Sequence, residues 1–386
     1  MKNLTHSLFN IVLVIFTILG SYVYANDLEL LIYEESRLRS SHSIDSVEIN
    51  PAVLHLEKDT EVMLTLPNRM GEYVVVFDRY EVHQSGNTTW IGHVKGNEEF
   101  LIIVTYGDGV AIGMLQTPKG EFRLEKQQLL DMRKFKPLPI DELQPKKLPQ
   151  SSIIFPDNQQ NIRRRRTRDR KVDSDEIAYV DLMILYNQGM VEKYGKSETL
   201  AILDNLVTIT NQAYIDSQVK VRHRLVKTMQ VEYPSENTNR QAVQDLKFFV
   251  GELQEVRESV GADILLLVKP QTVGDEHCGV ADTLYVIFQG EANAVVSYGI
   301  SDDGGVCSYY AMAHEIGHLF GIQHDTANVD INRYGNGEPI FPYGYGYGKT
   351  GIFGTIMSYI YPRVGNLPFV AYVKYRMCFA IMKATK

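Results

Sequence analysis

The chain has 386 residues, which is long enough for two domains with sizeable hydrophobic cores. Its 44% hydrophobic and 22% charged residues predict a soluble, globular protein. The formal net charge of −8 argues against a nucleic-acid-binding protein, although one strongly basic run is hidden in this average.

The first 25 residues have the pattern of a secretory signal peptide. Lys2 gives the positive end, residues 11–19 are almost wholly apolar, and residues 23–25 offer a small-residue cleavage site before Asn26. A membrane anchor is the competing interpretation, but the apolar core is shorter than the roughly 20 residues needed to span a bilayer. We therefore expect a secreted protein, extracellular or periplasmic, with no stable membrane insertion after signal removal.

Residues 26–150 are predicted to form a β-rich N-terminal domain, either an antiparallel sheet or a sandwich. Short β-branched runs are separated by turn residues such as Gly86-Asn87. No catalytic constellation is present in this part of the sequence, and we expect Trp90 and His93 to pack in the core. The predicted strands are residues 53–56, 61–66, 73–77, 100–104 and 109–113.

Residues 151–175 are predicted to be a solvated basic linker. Like charges repel and little of the run can be buried, so it suits trypsin-like proteolysis better than folding. Its position between a signal-bearing unit and a second domain indicates a propeptide processing site. A plain flexible linker or a basic surface patch is the alternative. The candidate processing residues are Arg163, Arg164, Arg165, Arg166, Arg168 and Arg170.

From residue 176 to residue 386 the pattern changes to that of an α/β domain. Segments with strand and helix periodicity alternate along the chain. This alternation predicts a twisted, mostly parallel sheet with helices on its faces. The predicted strands are residues 179–186, 219–231, 262–268 and 294–300, and the predicted helices are residues 197–216 and 240–260.

The three cysteines all lie in the second half of the chain, and export permits them to form disulfides. We favour pairing of Cys278 with Cys307, which would join the loop before the last core strand to the segment that leads to His314. Cys378 is then left over as a free or intermolecular thiol. No two cysteines have C-x-x-C spacing, so we expect no metal role for them.

Residues 314–324 contain three candidate metal ligands and a candidate acid/base. His314 and His318 are four residues apart and share one face of a helix, with Glu315 beside them. Gly321 can take the left-handed conformation that turns His324 back toward the same metal. Three neutral imidazoles leave one tetrahedral position open to water, which is typical of a catalytic zinc site.

The implied chemistry is hydrolysis of a peptide bond by water, without a covalent intermediate. One Zn²⁺ ion would polarise the substrate carbonyl, while Glu315 accepts the proton of the attacking water and returns it to the leaving amine. The alternatives are a chance spacing of histidines and a closed structural zinc site. The specified residues rarely coincide by chance, and Glu315 suits hydrolysis better than a closed site.

This long histidine motif, followed by residues 354–359 as a methionine turn, resembles the signature of the metzincin zinc proteases. Asp325 directly after the third histidine is similar to the reprolysin or adamalysin branch, in particular to bacterial secreted reprolysin-like and peptidyl-Asp metalloendopeptidase-type enzymes. The likeness covers about residues 176–360, and the chain departs from the family pattern after Tyr361. Residues 179–186, 278–281 and 342–347 also support it.

The resemblance implies an α/β (α+β) metzincin-like catalytic domain with an active-site helix, preceded by the β-rich domain as a prodomain. It implies that Met357 is an apolar floor beneath the zinc. Tyr359 would approach the metal or the oxyanion, or else pack in the cleft wall. We expect Asp325 to anchor the loop after the helix through hydrogen bonds.

The resemblance also assigns the substrate-binding edge strand to residues 279–289, where a peptide would add itself as a further strand. A second cluster is expected to wall the prime-side pocket, or else to form a strand without substrate contact. Its members are Tyr343, Tyr345, Tyr347 and Phe353.

A prodomain of this kind is expected to inhibit its own catalytic domain by covering the cleft until another protease cuts the linker. Inhibition by a prodomain thiolate on the zinc is excluded, because no cysteine precedes Cys278. A carboxylate, a histidine or steric cover would have to serve instead.

The sequence therefore predicts a secreted zinc endopeptidase that is made as a zymogen and acts on protein or peptide substrates. Two alternatives remain open. One is a catalytically silent metzincin-fold binding module, although the intact Glu315 argues against it. The other is a zinc hydrolase of a non-peptide amide or ester.

Overall fold

The structure is a computed structural model. It describes most of the N-terminal region and most of the second region, which are separated by the basic linker. The signal segment, the arginine run, Cys378 and the segment after Tyr361 lie outside the described residues. Among the residues that are described, no helix has both the length and the apolar character needed to cross a membrane. The described residues are 28–33, 44–45, 47–67, 69–139, 176–248, 252–281, 292–325, 344–349 and 353–359.

The N-terminal region is built on an antiparallel sheet of eight strands in the order β2-β10-β9-β8-β7-β6-β5-β4. Most neighbours in this order are also neighbours in sequence, which is typical of an up-and-down meander. The separate β1 and β3 pair with each other. The strands are β1 Leu31–Tyr33, β2 Ile44–Asp45, β3 Val47–Ile49, β4 Glu61–Leu66, β5 Gly71–Val82, β6 Thr88–Val94, β7 Asn97–Gly107, β8 Val110–Thr117, β9 Gly120–Glu125, β10 Gln128–Asp131 and β11 Lys136–Pro137.

The strand predicted at residues 53–56 is wrong. Residues Pro51–Val53 form a 3₁₀ helix, because the side chain of Asn50 accepts a hydrogen bond from Ala52 N and a proline occupies the first helical position. The other four predicted strands lie within or largely overlap β4, β5, β7 and β8. The prediction missed the short strands β1, β2, β3 and β11, and also β6, β9 and β10, whose polar residues dilute the apolar pattern.

The two faces of this sheet bury different sets of side chains. Trp90 is fully buried in the domain's own core, as expected. His93 is not a core residue: its Nδ1 lies 2.9 Å from Asp78 Oδ2, and the side chain is 18% exposed. Because alternate residues of a strand point to opposite faces, His93 cannot share the side of the sheet that Trp90 occupies.

The second region contains a five-stranded sheet in the order β13-β12-β14-β16-β15. Three of its pairings are parallel, and the edge strand β15 runs antiparallel to β16. Its strands are β12 Ala178–Asn187, β13 Val221–Val231, β14 Ile264–Pro270, β15 Gly279–Ala281 and β16 Asn293–Tyr298, and the short pairs outside it are β17 Gly305–Val306, β18 Gly348–Lys349 and β19 Phe353–Gly354. The helices are α1 Gln188–Tyr194, α2 Lys196–Asp216, α3 Asn239–Phe248, α4 Glu252–Val260 and α5 Ala311–Leu319.

Helices cover both faces of this sheet, as expected for the α/β class. The core on one face joins the sheet to α1, α2 and α5, and the core on the other face joins it to α3 and α4. Every residue of β14 is buried, because a strand in the middle of such a sheet is covered on both sides. The single helix predicted at residues 240–260 corresponds to α3 and α4, on either side of residues 249–251, which lie outside the described residues.

His223 of β13 makes the stability of this domain depend on pH. Its ring packs against Tyr214 and Phe320, and neither ring nitrogen has a hydrogen-bond partner in the described part of the chain. Burial, followed by the charge of Arg222, lowers the pKa of His223 from 6.5 to about 3. Below pH 6.5 the unfolded chain therefore binds a proton that the folded chain does not, and the free energy of unfolding falls as the pH drops toward 3.

We expect His223→Leu to flatten this acid sensitivity, because it removes a group that contributes up to about 1.4 kcal/mol per pH unit. Urea unfolding midpoints between pH 4 and pH 8 measure the slope. His55→Gln, at an exposed position, is the matched control and should keep the wild-type slope. An unchanged slope in His223→Leu would show that the imidazole is not the group responsible.

Candidate metal centre

The helix α5 carries the first part of the histidine motif and is almost wholly buried. Among its residues only His318 is partly exposed. The helix ends at Leu319, and two residues later Gly321 has a φ of 81°, a conformation that a residue without Cβ takes readily. Ile322 N donates to Gly317 O at 3.0 Å, which closes the last turn and directs the chain back toward the helix.

This turn brings the three predicted metal ligands together. The Nε2 atoms of His314 and His318 lie 3.1 Å apart, those of His318 and His324 lie 3.1 Å apart, and those of His314 and His324 lie 3.3 Å apart. A tetrahedral zinc with Zn–N bonds of about 2.0–2.1 Å requires about 3.3 Å between ligand atoms. The triangle of nitrogens therefore fits one zinc ion.

Backbone carbonyl groups fix the orientation of two of these rings. His314 Nδ1 lies 2.8 Å from the carbonyl oxygen of Ile356, and His318 Nδ1 lies 2.9 Å from that of Ile322. A carbonyl oxygen can only accept, so each Nδ1 carries a proton and each Nε2 presents a lone pair to the metal position. Sequence reasoning did not find Ile356 and Ile322, because the contacting group is the backbone and leaves no pattern in the side chains.

Glu315 is fully buried beside the histidines and lies against the edge strand β15. A Cβ atom built on Gly279 would lie 2.5 Å from Glu315 Oε1 and 2.7 Å from Glu315 Cγ. Only glycine therefore fits at this position while the carboxylate keeps its place. Sequence reasoning placed Gly279 in the substrate-binding strand but missed this contact, although a glycine inside a strand is itself a signal of close approach.

We expect Gly279→Ala to reduce the peptide hydrolysis that the sequence predicts by about 10- to 100-fold, because the added methyl group displaces the carboxylate of Glu315. The three closest contacts of the added methyl group are all to side-chain atoms of Glu315 and not to backbone, so we expect the melting temperature and the zinc content to stay close to those of the wild type. Steady-state kinetics with metal analysis on the same preparation measure both. Full activity in the alanine variant would show that the position of the carboxylate is not critical.

The methionine turn lies directly against the histidine cluster. Met357 is fully buried in the same core as α5. The ring of Tyr359 lies 4.6 Å from that of His324 and 6.0 Å from that of His314, measured between centroids. Asp325 Oδ2 accepts a hydrogen bond from Tyr359 N at 2.8 Å, so this carboxylate ties the turn to the third histidine.

The favoured disulfide between Cys278 and Cys307 is present. It connects the residue before the edge strand β15 to the residue after β17, four residues ahead of α5. The segment that leads to the histidines is thereby tied to the strand that lies against Glu315.

The expected substrate-binding segment is described only in part. Residues 279–281 form the edge strand β15, and residues 282–289 lie outside the described residues. In the expected pocket wall, Tyr347 is 63% exposed and Tyr345 is partly buried. Tyr343 and the side chain of Phe353 lie outside the described residues.

Comparison with known families agrees with this geometry. Residues 177–382 match the family described as metallopeptidase family M12B, reprolysin-like. Because the match covers more than half of the chain, this protein belongs to the M12B reprolysin-like metallopeptidases, and the expected resemblance is confirmed. Residues 32–129 match a second family, the BamI lipocalin-like domain.

Two relatives of the protein are named peptidyl-Asp metalloendopeptidases. The protein from Pseudomonas aeruginosa is 28% identical over 194 residues, which cover 47% of this chain and 32% of the relative. The protein from Xanthomonas campestris pv. campestris is 26% identical over 185 residues, covering 47% of this chain and 40% of the relative. The aligned part of this chain thus spans less than half the length of either relative.

A solved structure with detectable similarity is metalloproteinase-II from Bacteroides fragilis. It superposes with a TM-score of 0.42 at 14% sequence identity, covering 68% of this chain and 81% of that chain.

Proposed function

We propose that this protein is a secreted zinc endopeptidase that is made as a zymogen. The observation that carries the proposal is the triangle of three imidazole Nε2 atoms, 3.1–3.3 Å apart, with the buried Glu315 beside it. Membership of a metallopeptidase family and the names of the two relatives support the same activity.

His314, His318 and His324 are proposed to hold one zinc ion. Zinc bound there supplies a Lewis acid that polarises the scissile carbonyl and lets water ionise near neutral pH. Glu315 accepts the proton from the attacking water as the new C–O bond forms. It then delivers that proton to the amide nitrogen as the C–N bond breaks, so the products are a carboxylate and an amine.

The remaining site residues are proposed to hold this arrangement in place. Met357 forms the apolar floor, and Asp325 keeps the methionine turn attached to the loop after α5. Tyr359 packs against two of the histidine rings, from where its hydroxyl is proposed to assist the developing oxyanion. The Tyr359→Phe variant tests this role, because it removes only the hydroxyl group. Full activity in that variant would show that Tyr359 is purely structural.

The substrate is proposed to be an extended peptide that pairs with the edge strand β15. This strand pairs with β16 on one side. Its backbone at Gly279 lies against the carboxylate of Glu315, so a peptide that pairs with β15 would lie close to the histidine cluster. The name of the two relatives suggests aspartate next to the scissile bond as the side-chain preference to be examined first.

Export and processing complete the proposal. A signal peptide at residues 1–25 would direct the chain out of the cytoplasm, and a trypsin-like protease would cut the arginine run between Arg163 and Arg170. Latency before that cut is proposed to depend on the N-terminal part of the chain, by a carboxylate, a histidine or steric cover.

Mass-spectrometric mapping of cuts in a mixed peptide library tests the activity. The full chain, cut in the arginine run, is compared with Glu315→Ala and with wild type treated with a zinc chelator and then with added zinc. Cuts that vanish in both controls and return with zinc establish the endopeptidase. No cuts from zinc-loaded, processed protein would favour a binding module or a non-peptide substrate instead.

A further inference from the structure

The N-terminal sheet has a second apolar face, which lies against the catalytic domain. In β6, β7 and β8 the buried residues alternate between two cores. One set belongs to the domain's own core, and the other set shares a core with α2 and the active-site helix α5. This second set consists of Ile91, Leu101, Ile103, Ile112 and Met114. A soluble domain that separated here would expose a contiguous apolar surface.

Buried polar contacts cross the same boundary. Asp204 of α2 is 2% exposed, and its Oδ2 accepts hydrogen bonds from Asn87 Nδ2 at 2.8 Å and from the hydroxyl of Ser85. One turn further along α2, Thr208 Oγ1 donates to Glu81 Oε2 at 3.0 Å. Both acidic groups would lose these partners if the two regions separated.

Arg123 of β9 makes the deepest of these contacts. Its side chain is 1% exposed, and Nη2 donates to the carbonyl oxygen of Cys307 at 2.6 Å. The guanidinium carbon lies 4.3 Å from the ring centroid of Tyr309 and 5.3 Å from that of Tyr298. Tyr309 in turn donates to Gly113 O at 3.0 Å. A cation from one region therefore sits in an aromatic pocket of the other, just ahead of α5.

Backbone hydrogen bonds also connect the end of the N-terminal region to the catalytic domain. β11 pairs in parallel with β17, and Leu138 N donates to Val306 O at 3.0 Å. Cys278 N donates to Pro139 O at 3.0 Å. These hydrogen bonds are made at or next to both cysteines of the disulfide, which joins the edge strand to the segment that leads into α5.

We propose that residues 28–139 remain bound to the catalytic domain after the linker is cut, so that the working protein is a two-chain complex. The N-terminal region is then a permanent subunit that supports the segment leading into α5. Cutting the linker does not remove this domain, so the proposed latency of the uncut chain ends without its dissociation. This goes beyond the proposed peptidase activity and holds whether or not that activity is found, because it rests only on the contacts between the two regions.

The test uses the full chain with a site-specific protease sequence in place of residues 163–170. After complete cleavage, checked by denaturing gel, the sample is passed over a size-exclusion column at micromolar and at nanomolar concentration. We expect both fragments to elute together at the mass of the uncut chain in both runs. Fragments that elute separately without denaturant would overturn the proposal.

A variant of Arg123 tests whether this side chain holds the two fragments together. With the N-terminal fragment immobilised, Arg123→Met should release the catalytic fragment at least about tenfold faster than the wild type, because its buried charge–carbonyl contact is lost. Lys95→Met removes an exposed ion pair with Glu61 inside the N-terminal domain and should leave the release rate within about twofold. An Arg123→Met complex that dissociates no faster than the wild type would overturn this assignment.

Discussion

Replacing Glu315 with glutamine is expected to lower kcat/KM for peptide hydrolysis by about 10²–10⁴-fold while the protein keeps one zinc ion per chain. Glutamine has nearly the same shape as glutamate, so it fills the buried space beside Gly279 without adding bulk. It cannot accept a proton from water at neutral pH, so the general-base step proposed for Glu315 should be lost. Steady-state kinetics and metal analysis on the same preparation give both readings.

His318→Ala is the informative control for that variant. It removes one corner of the nitrogen triangle and is expected to lose zinc and activity together, whereas Glu315→Gln loses activity alone. Substantial activity in zinc-loaded Glu315→Gln would mean that another group moves the proton. Parallel loss of zinc in both variants would leave the role of Glu315 as base without support.

Removing the disulfide is expected to have the largest effect on stability. Cys278 and Cys307 are 29 residues apart, and closing a loop of that length lowers the entropy of the unfolded chain by the equivalent of about 3–4 kcal/mol. The double variant Cys278→Ala/Cys307→Ala should therefore lose about 3 kcal/mol in the free energy of unfolding. Urea unfolding followed by circular dichroism measures this loss.

Both the variant and its reference should carry Cys378→Ser, so that the third cysteine cannot form a substitute bridge. Reducing the reference protein with dithiothreitol should reproduce the shift seen in the double variant. Equal unfolding midpoints for the oxidised reference and the double variant would show that this disulfide contributes little.

The clustering of the three histidines could be predicted from sequence because it depends on local geometry alone. Two histidines four residues apart meet on any helix, and a glycine three residues later is enough to turn the chain. The observed φ of Gly321 and the triangle of Nε2 atoms agree with that prediction. The Cys278–Cys307 pairing was favoured for the two segments that it would join, and the strands of the second region followed from their strand periodicity.

Contacts between residues far apart in the sequence could not be predicted from the sequence alone. The carbonyl group of Ile356 that orients His314 is a backbone atom 42 residues away in sequence. The continuous apolar run of β7 indicates that both faces of this strand are buried. The run alone cannot identify the catalytic domain as the surface that covers the second face. Residues 53–56 were predicted as a strand because three of the four are apolar, but they form the end of the 3₁₀ helix Pro51–Val53 and the turn that follows it.

Zinc titration of metal-free protein tests whether the three histidines form a catalytic zinc site. The processed protein is stripped of metal, and peptide hydrolysis is measured as zinc is added in fractions of one equivalent. We expect no activity without zinc and a linear rise to a plateau at one zinc per chain, a rise that is absent in His318→Ala. Activity that persists in the metal-free protein, or that rises equally in His318→Ala, would contradict it.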